Sequence, residues 1–171
     1  MASAQQLSPR AAILWGLVCM AVGCAPILIG LGVVPGELTP GTPGWVGVAA
    51  GLTFVCAGAA VIVGYAVAGG VGPDGDLPAA TPFAVRVTQN LLGFCIVGLM
   101  ESITAWIAFG PGERHFSSTL TWAFGVKSAA ASEREGRIVF GAGAVAIGII
   151  WVVLTIVSVR RLLQASKAQG H

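Results

Sequence analysis

Four apolar runs dominate this chain, at residues 11–34, 45–68, 83–109 and 138–159. About 20 predominantly apolar residues suffice for a helix to cross the hydrocarbon of a bilayer, so each run is long enough. Inside lipid the backbone must satisfy its own hydrogen bonds, which leaves helix as the structure for runs of this length. The expectation is an all-α polytopic membrane protein, a four-transmembrane-helix bundle forming one membrane domain over residues 1–171, with an extramembrane loop at 110–137.

Composition agrees. Of 171 residues, 56% are hydrophobic and 9% charged, where soluble domains come near a quarter charged. Mean hydropathy is +0.87. These values exclude a soluble globular domain and a disordered chain. A net charge of +2, with no basic stripe, gives no footing for nucleic acid. The expected partners are the lipid bilayer and a second copy or another membrane protein. No cofactor is expected.

Three of the runs carry no charge at all. The third, Phe83–Phe109, holds the one charge set well inside an apolar stretch, Glu101. At about 100° per residue, Arg86, Asn90, Gly93, Val97, Glu101, Thr104 and Ala108 share one narrow arc, so one face of this helix is polar or small. In lipid such a face turns toward other helices or a water-filled cavity. Arg86 and Glu101 do not pair, because fifteen residues of helix separate them by about 22 Å. An ionised carboxylate alone in hydrocarbon is costly. Two readings of Glu101 stand: a proton or cation site, or a packing hydrogen bond between helices.

Small residues mark the other runs. Gly16, Gly23 and Gly30 recur every seven residues, a seam suited to close approach by a neighbouring backbone. Gly47 and Gly51, extended by Gly58, form a second seam, and Gly141, Gly143 and Gly148 a third. Trp15 fits an interfacial anchor. Pro26 deprives the Val22 carbonyl of its usual partner and predicts a kink. A rival reading takes Ala21-Val22-Gly23-Cys24 as a lipoprotein signal, although the apolar run is longer than such signals require.

The cysteines, Cys19, Cys24, Cys56 and Cys95, all lie in apolar runs and form no C-x-x-C; His115 and His171 have no neighbour at ligand spacing, so no metal site is expected. In the long third loop Phe116, Leu120 and Phe124 recur at four-residue spacing, which suggests a short interfacial helix within 114–130 or an ordinary loop with aromatic anchors. Basic residues divide almost evenly between the two sides, and both termini are placed in the cytoplasm because the basic residues of the third loop are interleaved with Glu.

A faint repeat relates the first and third runs, matching Cys19 with Cys95 and Pro35-Gly36-Glu37 with Pro111-Gly112-Glu113. The second and fourth then match Gly51 with Gly143. This suggests two pseudo-repeated helical hairpins. It sets Glu101 opposite Ala25, beside Pro26, and counting depth along each run adds Thr53 and Ala146. The predicted intramembrane polar site is therefore Glu101, Thr104, Asn90, Arg86, Thr53 and Pro26, with Glu101 donating to the Val22 carbonyl or exchanging hydrogen bonds with Thr53.

The stretch T-P-G-W-V-G-x-A-x-G-L-x-F-x-x-A-G at Thr42–Gly58 resembles a pattern in small bacterial four-span membrane proteins of no known activity. So do F-G-P-G-E-R at Phe109–Arg114 and G-R-I-V-F-G at Gly136–Gly141. The resemblance implies a multi-pass protein of the bacterial inner membrane and carries over no catalytic residue. Three functions are weighed. One is a structural, accessory or self-associating membrane protein. Another is a small transporter or channel subunit using Glu101. The last is an enzyme built on Glu113, Arg114, His115 and Ser117, whose spacing matches no known catalytic arrangement.

Overall fold

The structure, a computed structural model, describes residues 8–36, 41–71, 77–78, 80–111, 116–122, 125–131 and 133–169. Helix α1, Pro9–Gly30, opens with Ser8 as its cap. The Ser8 hydroxyl accepts the Ala11 N–H at 3.3 Å, and Pro9 takes the first turn, where no N–H is needed. The helix continues through Pro26 and stops at Gly30, although the apolar run predicted it to Val34. Gly32, at φ +71°, explains the early stop. Its N–H donates to the Ile29 carbonyl and that of Val33 to the Leu28 carbonyl, both at 2.9 Å, which turns the chain out of the helix and satisfies its last carbonyls.

Helix α2, Gly44–Val61, passes without a break into a π-helical segment, Ile62–Val67. At its end the Ala68 N–H reaches back five residues to the Val63 carbonyl at 2.9 Å. Gly69 and Gly70, at φ +82° and +133°, terminate the span. Helix α3 covers Phe83–Phe109 as predicted and ends where Gly110 turns extended ahead of Pro111. Helix α4, Glu133–Gln169, begins five residues before the predicted span and runs beyond it. Glu133 and Glu135 favour its first turn through the helix dipole.

The loop between α3 and α4 corrects the interfacial-helix expectation. Strands β1 (Phe116–Trp122) and β2 (Gly125–Ala131) pair antiparallel, from Phe116 opposite Ala131 to Trp122 opposite Gly125. The sequence of β1, FSSTLTW, is rich in Ser, Thr and aromatic residues, which disfavour helix and suit a strand. Phe124 lies outside the described residues.

Four helical segments are long and apolar enough to cross a membrane: Pro9–Gly30, Gly44–Val67, Phe83–Phe109 and Glu133–Arg160. The chain is an all-α, multi-pass bundle apart from the small hairpin. Its helices pack in sequence order: α1 on α2 and the π-helical segment, α2 on α3, and α3 on α4. Among the described residues no other pair of long helices makes more than a marginal contact. Among the described residues the buried apolar side chains are all alanines, Ala12, Ala49, Ala108 and Ala144, while large side chains such as Leu14, Trp15, Leu91, Val139 and Ile149 lie outward. In water such a surface would aggregate; in a bilayer, tight contact between small residues is what holds helices together.

The α1–α2 interface shows this most directly. Gly16 faces Gly58, Gly23 faces Gly51, and Gly30 faces Gly44, in one antiparallel register. A β-carbon on Gly16 would stand 2.7 Å from the Gly58 carbonyl oxygen. The matching heptad on α2 is thus 44, 51, 58. Gly47 is buried as well, beside that seam. The α3–α4 hairpin is built differently, large residues on small: Gly141 receives the Phe109 ring, and the Trp151 indole lies over Gly98. Gly143, matched with Gly51 in the proposed repeat, meets nothing within 4 Å. The two hairpins share a topology and differ in their seams.

Candidate intramembrane site

The α3–α4 interface is organised by three side chains. At one end Arg137 of α4 donates from Nη1 to the Gly110 carbonyl at 2.9 Å and to the Ala108 carbonyl at 3.3 Å. Its Nε donates to Glu133 at 2.9 Å. A cation therefore sits on the exposed carbonyls at the C-terminus of α3, where the helix dipole is negative. Deeper in, the Trp151 indole N–H donates to the Phe94 carbonyl at 3.2 Å. Between the two lies Glu101.

Glu101 sits on the α4 side of its helix, together with buried Ala108 of the same arc, whereas Gly93 of that arc meets nothing within 4 Å. Its Oε1 lies 3.5 Å from where a β-carbon on Gly148 would stand, so the missing side chain at Gly148 makes the room for the carboxyl group. The second oxygen, Oε2, is buried and has no hydrogen-bond partner. Among the described residues two other buried side-chain oxygens share that condition, Thr81 Oγ1 and Gln89 Oε1.

The remaining residues of the predicted site do not gather around this carboxylate. Thr53 donates to the Ala49 carbonyl at 2.9 Å and Thr104 to the Met100 carbonyl at 2.8 Å, each serving its own helix. Pro26 belongs to α1, which packs on α2 rather than α3. Arg86 closes the segment leading into α3, donating to the Thr81 carbonyl at 3.1 Å and the Pro78 carbonyl at 3.0 Å. Asn90 stands three turns of α3 from Glu101 and is half-buried. The expected exchange of Glu101 with Thr53 or the Val22 carbonyl is thus replaced by a contact with Gly148, two residues from the Ala146 that depth-counting indicated.

Gln89 is no part of the predicted site. Its Nε2 lies 3.7 Å from the β-carbon position of Gly64, inside the π-helical segment. A polar side chain beside an irregular helical turn is a recurrent arrangement at membrane depth. The only sequence signal for it was an amide next to Asn90 inside an apolar run.

Compared with family models, curated proteins and solved structures, the chain finds no match. Glu113, Arg114 and His115, on which an enzymatic reading depends, lie outside the described residues. Among the described residues no group of three His, Cys, Asp or Glu side chains could hold a metal ion.

Proposed function

We propose that this chain is a non-enzymatic, structural or accessory membrane protein that associates laterally with a membrane-embedded partner, a second copy or another protein. Its setting is the bacterial inner membrane, with both termini cytoplasmic. The observation that supports this is the outward face of α1. That helix spends its Gly16–Gly23–Gly30 seam on α2 and leaves Ala21 and Ala25 exposed at mid-span on the opposite side, with Cys24 exposed at the edge of that face. Small residues spaced four apart admit a second helix at close range, and among the described residues α1 has no helix packed there.

Cys24 makes the test direct. In a variant whose other cysteines are alanine, oxidative cross-linking in native membranes should trap an adduct through Cys24. Ala21→Leu with Ala25→Leu should abolish it. The adduct's mass tells a second copy from another protein. A wild-type face that yields no adduct at native expression level overturns the proposal.

A second reading has an observation of its own. The unpartnered Oε2 of Glu101 is a free acceptor in a low-dielectric setting, suited to a proton or a cation. A transporter or channel subunit would show pH-dependent flux in liposomes that Glu101→Gln removes while the protein stays folded. Flux that persists in Glu101→Gln, or is absent from both forms, removes that reading.

A further inference from the structure

A groove of about 1050 Å³ runs along the outer side of α4, with the end of α3 as one wall. Its body is apolar and small-sided, lined by Ile138, Ala142, Val145, Ala146 and Ile149, and its head carries Arg134 and Arg137. We propose that this groove holds one molecule of an acidic phospholipid, its phosphate on Arg134 and an acyl chain along Ala142 and Ala146.

The argument is one of length and charge. From Ile138 to Ile149 the apolar lining extends about 16 Å along the helix. That is about half of the roughly 30 Å hydrocarbon thickness, the depth of a single leaflet. The arginines lie within about one turn of its upper end, at headgroup level. They do different work. Arg137 is committed to Glu133 and to the α3 carbonyls, so it fixes the wall of the groove. Arg134 is exposed and makes no hydrogen bond or ion pair among the described residues. The Glu133 carboxylate at the same head is matched by Arg137, which leaves Arg134 as the one charge lining the groove that has no partner among the described residues. A guanidinium binds a phosphate through paired, charge-assisted hydrogen bonds, and basic residues beside membrane helices select anionic headgroups in this way. The same charge argues against a symmetric second copy in the groove, because two Arg134 side chains would be brought together.

This inference does not depend on the α1 face, and its test is separate. The full chain is purified in micelles doped equally with phosphatidylglycerol and phosphatidylcholine, and the lipid retained after gel filtration is quantified by mass spectrometry. The wild type should retain phosphatidylglycerol over phosphatidylcholine by roughly fivefold, the preference one arginine near a membrane surface supplies. Arg134→Glu should erase the preference and Arg134→Lys should keep it. Ala146→Trp, which fills the groove from an outward position, should lose the bound lipid with its melting temperature unchanged. Equal retention of the two lipids by the wild type overturns the proposal, as does an undiminished preference in Arg134→Glu. A lipid-free dimer joined through α4 overturns it too.

Discussion

Gly23 and Gly51 approach so closely that a β-carbon on Gly23 would stand 2.5 Å from the Gly51 carbonyl oxygen. The obstacle is backbone, so neither helix can yield locally. The cost of a methyl group there is borne by the whole α1–α2 interface. Gly23→Ala should therefore destabilise the protein by about 1–3 kcal/mol, the usual range for overpacking. Gly143→Ala, where nothing lies within 4 Å, should be neutral or add up to about 1 kcal/mol through helix propensity. Denaturant unfolding in mixed micelles compares the two, and equal costs would contradict the seam.

Glu101 gives the second prediction. Its buried Oε2 has no partner, and an unsatisfied buried polar atom costs about 1–3 kcal/mol. Glu101→Leu should thus be neutral or stabilising within that range, whereas Glu101→Gln keeps an unpaired oxygen and should gain less. Thermal unfolding of both variants decides. A marked loss in the leucine variant would mean that the carboxylate has a structural partner.

Arg137 and Glu133 form an ion pair that is partly exposed on both sides, 27% and 39%. Exposed pairs contribute under about 1 kcal/mol. The bonds from Arg137 to the Gly110 and Ala108 carbonyls are charge-assisted and close off α3. Arg137→Met should then cost on the order of 2 kcal/mol, and Glu133→Gln less than half of that. If the two losses are equal in chemical denaturation, the arginine acts through the ion pair and not through the carbonyls.

Trp151→Phe keeps most of the ring packed over Gly98 and removes the indole donor to Phe94. A loss of about 1 kcal/mol is expected, the ordinary net worth of one hydrogen bond. A fluorescence or circular-dichroism melt of this variant measures it, and a loss above that of Arg137→Met would reverse the ranking of the two anchors.

The spans were legible because apolar length at membrane depth has few structural solutions. Their ends were less so. Val33 and Val34 are as apolar as the residues before them, and only the left-handed Gly32 shows that the helix is already over. The first glycine seam was visible in its seven-residue spacing. Its partner is visible in Gly51 and Gly58 but incomplete, because an apolar run that opens at Trp45 leaves Gly44 outside the helix; Gly47 is buried beside the seam. The four-residue spacing of Phe116 and Leu120 misled for a geometrical reason: four is an even number, so it keeps residues on one face of a strand as well as on one turn of a helix. Depth along the spans came within two residues of the Gly148 contact of Glu101. The choice of Pro26 and Thr53 as its companions failed, because depth carries no information about which helix stands beside which.

The sequence-order packing of the helices has a bearing on biogenesis. Every span after the first packs on the span made just before it, so each one arrives beside a partner already in place. Contacts of this kind are local in sequence, and local contacts form fast. A nascent chain released after Val67 already contains both halves of the glycine seam and can mature as a two-span unit while ribosomes are still adding α3.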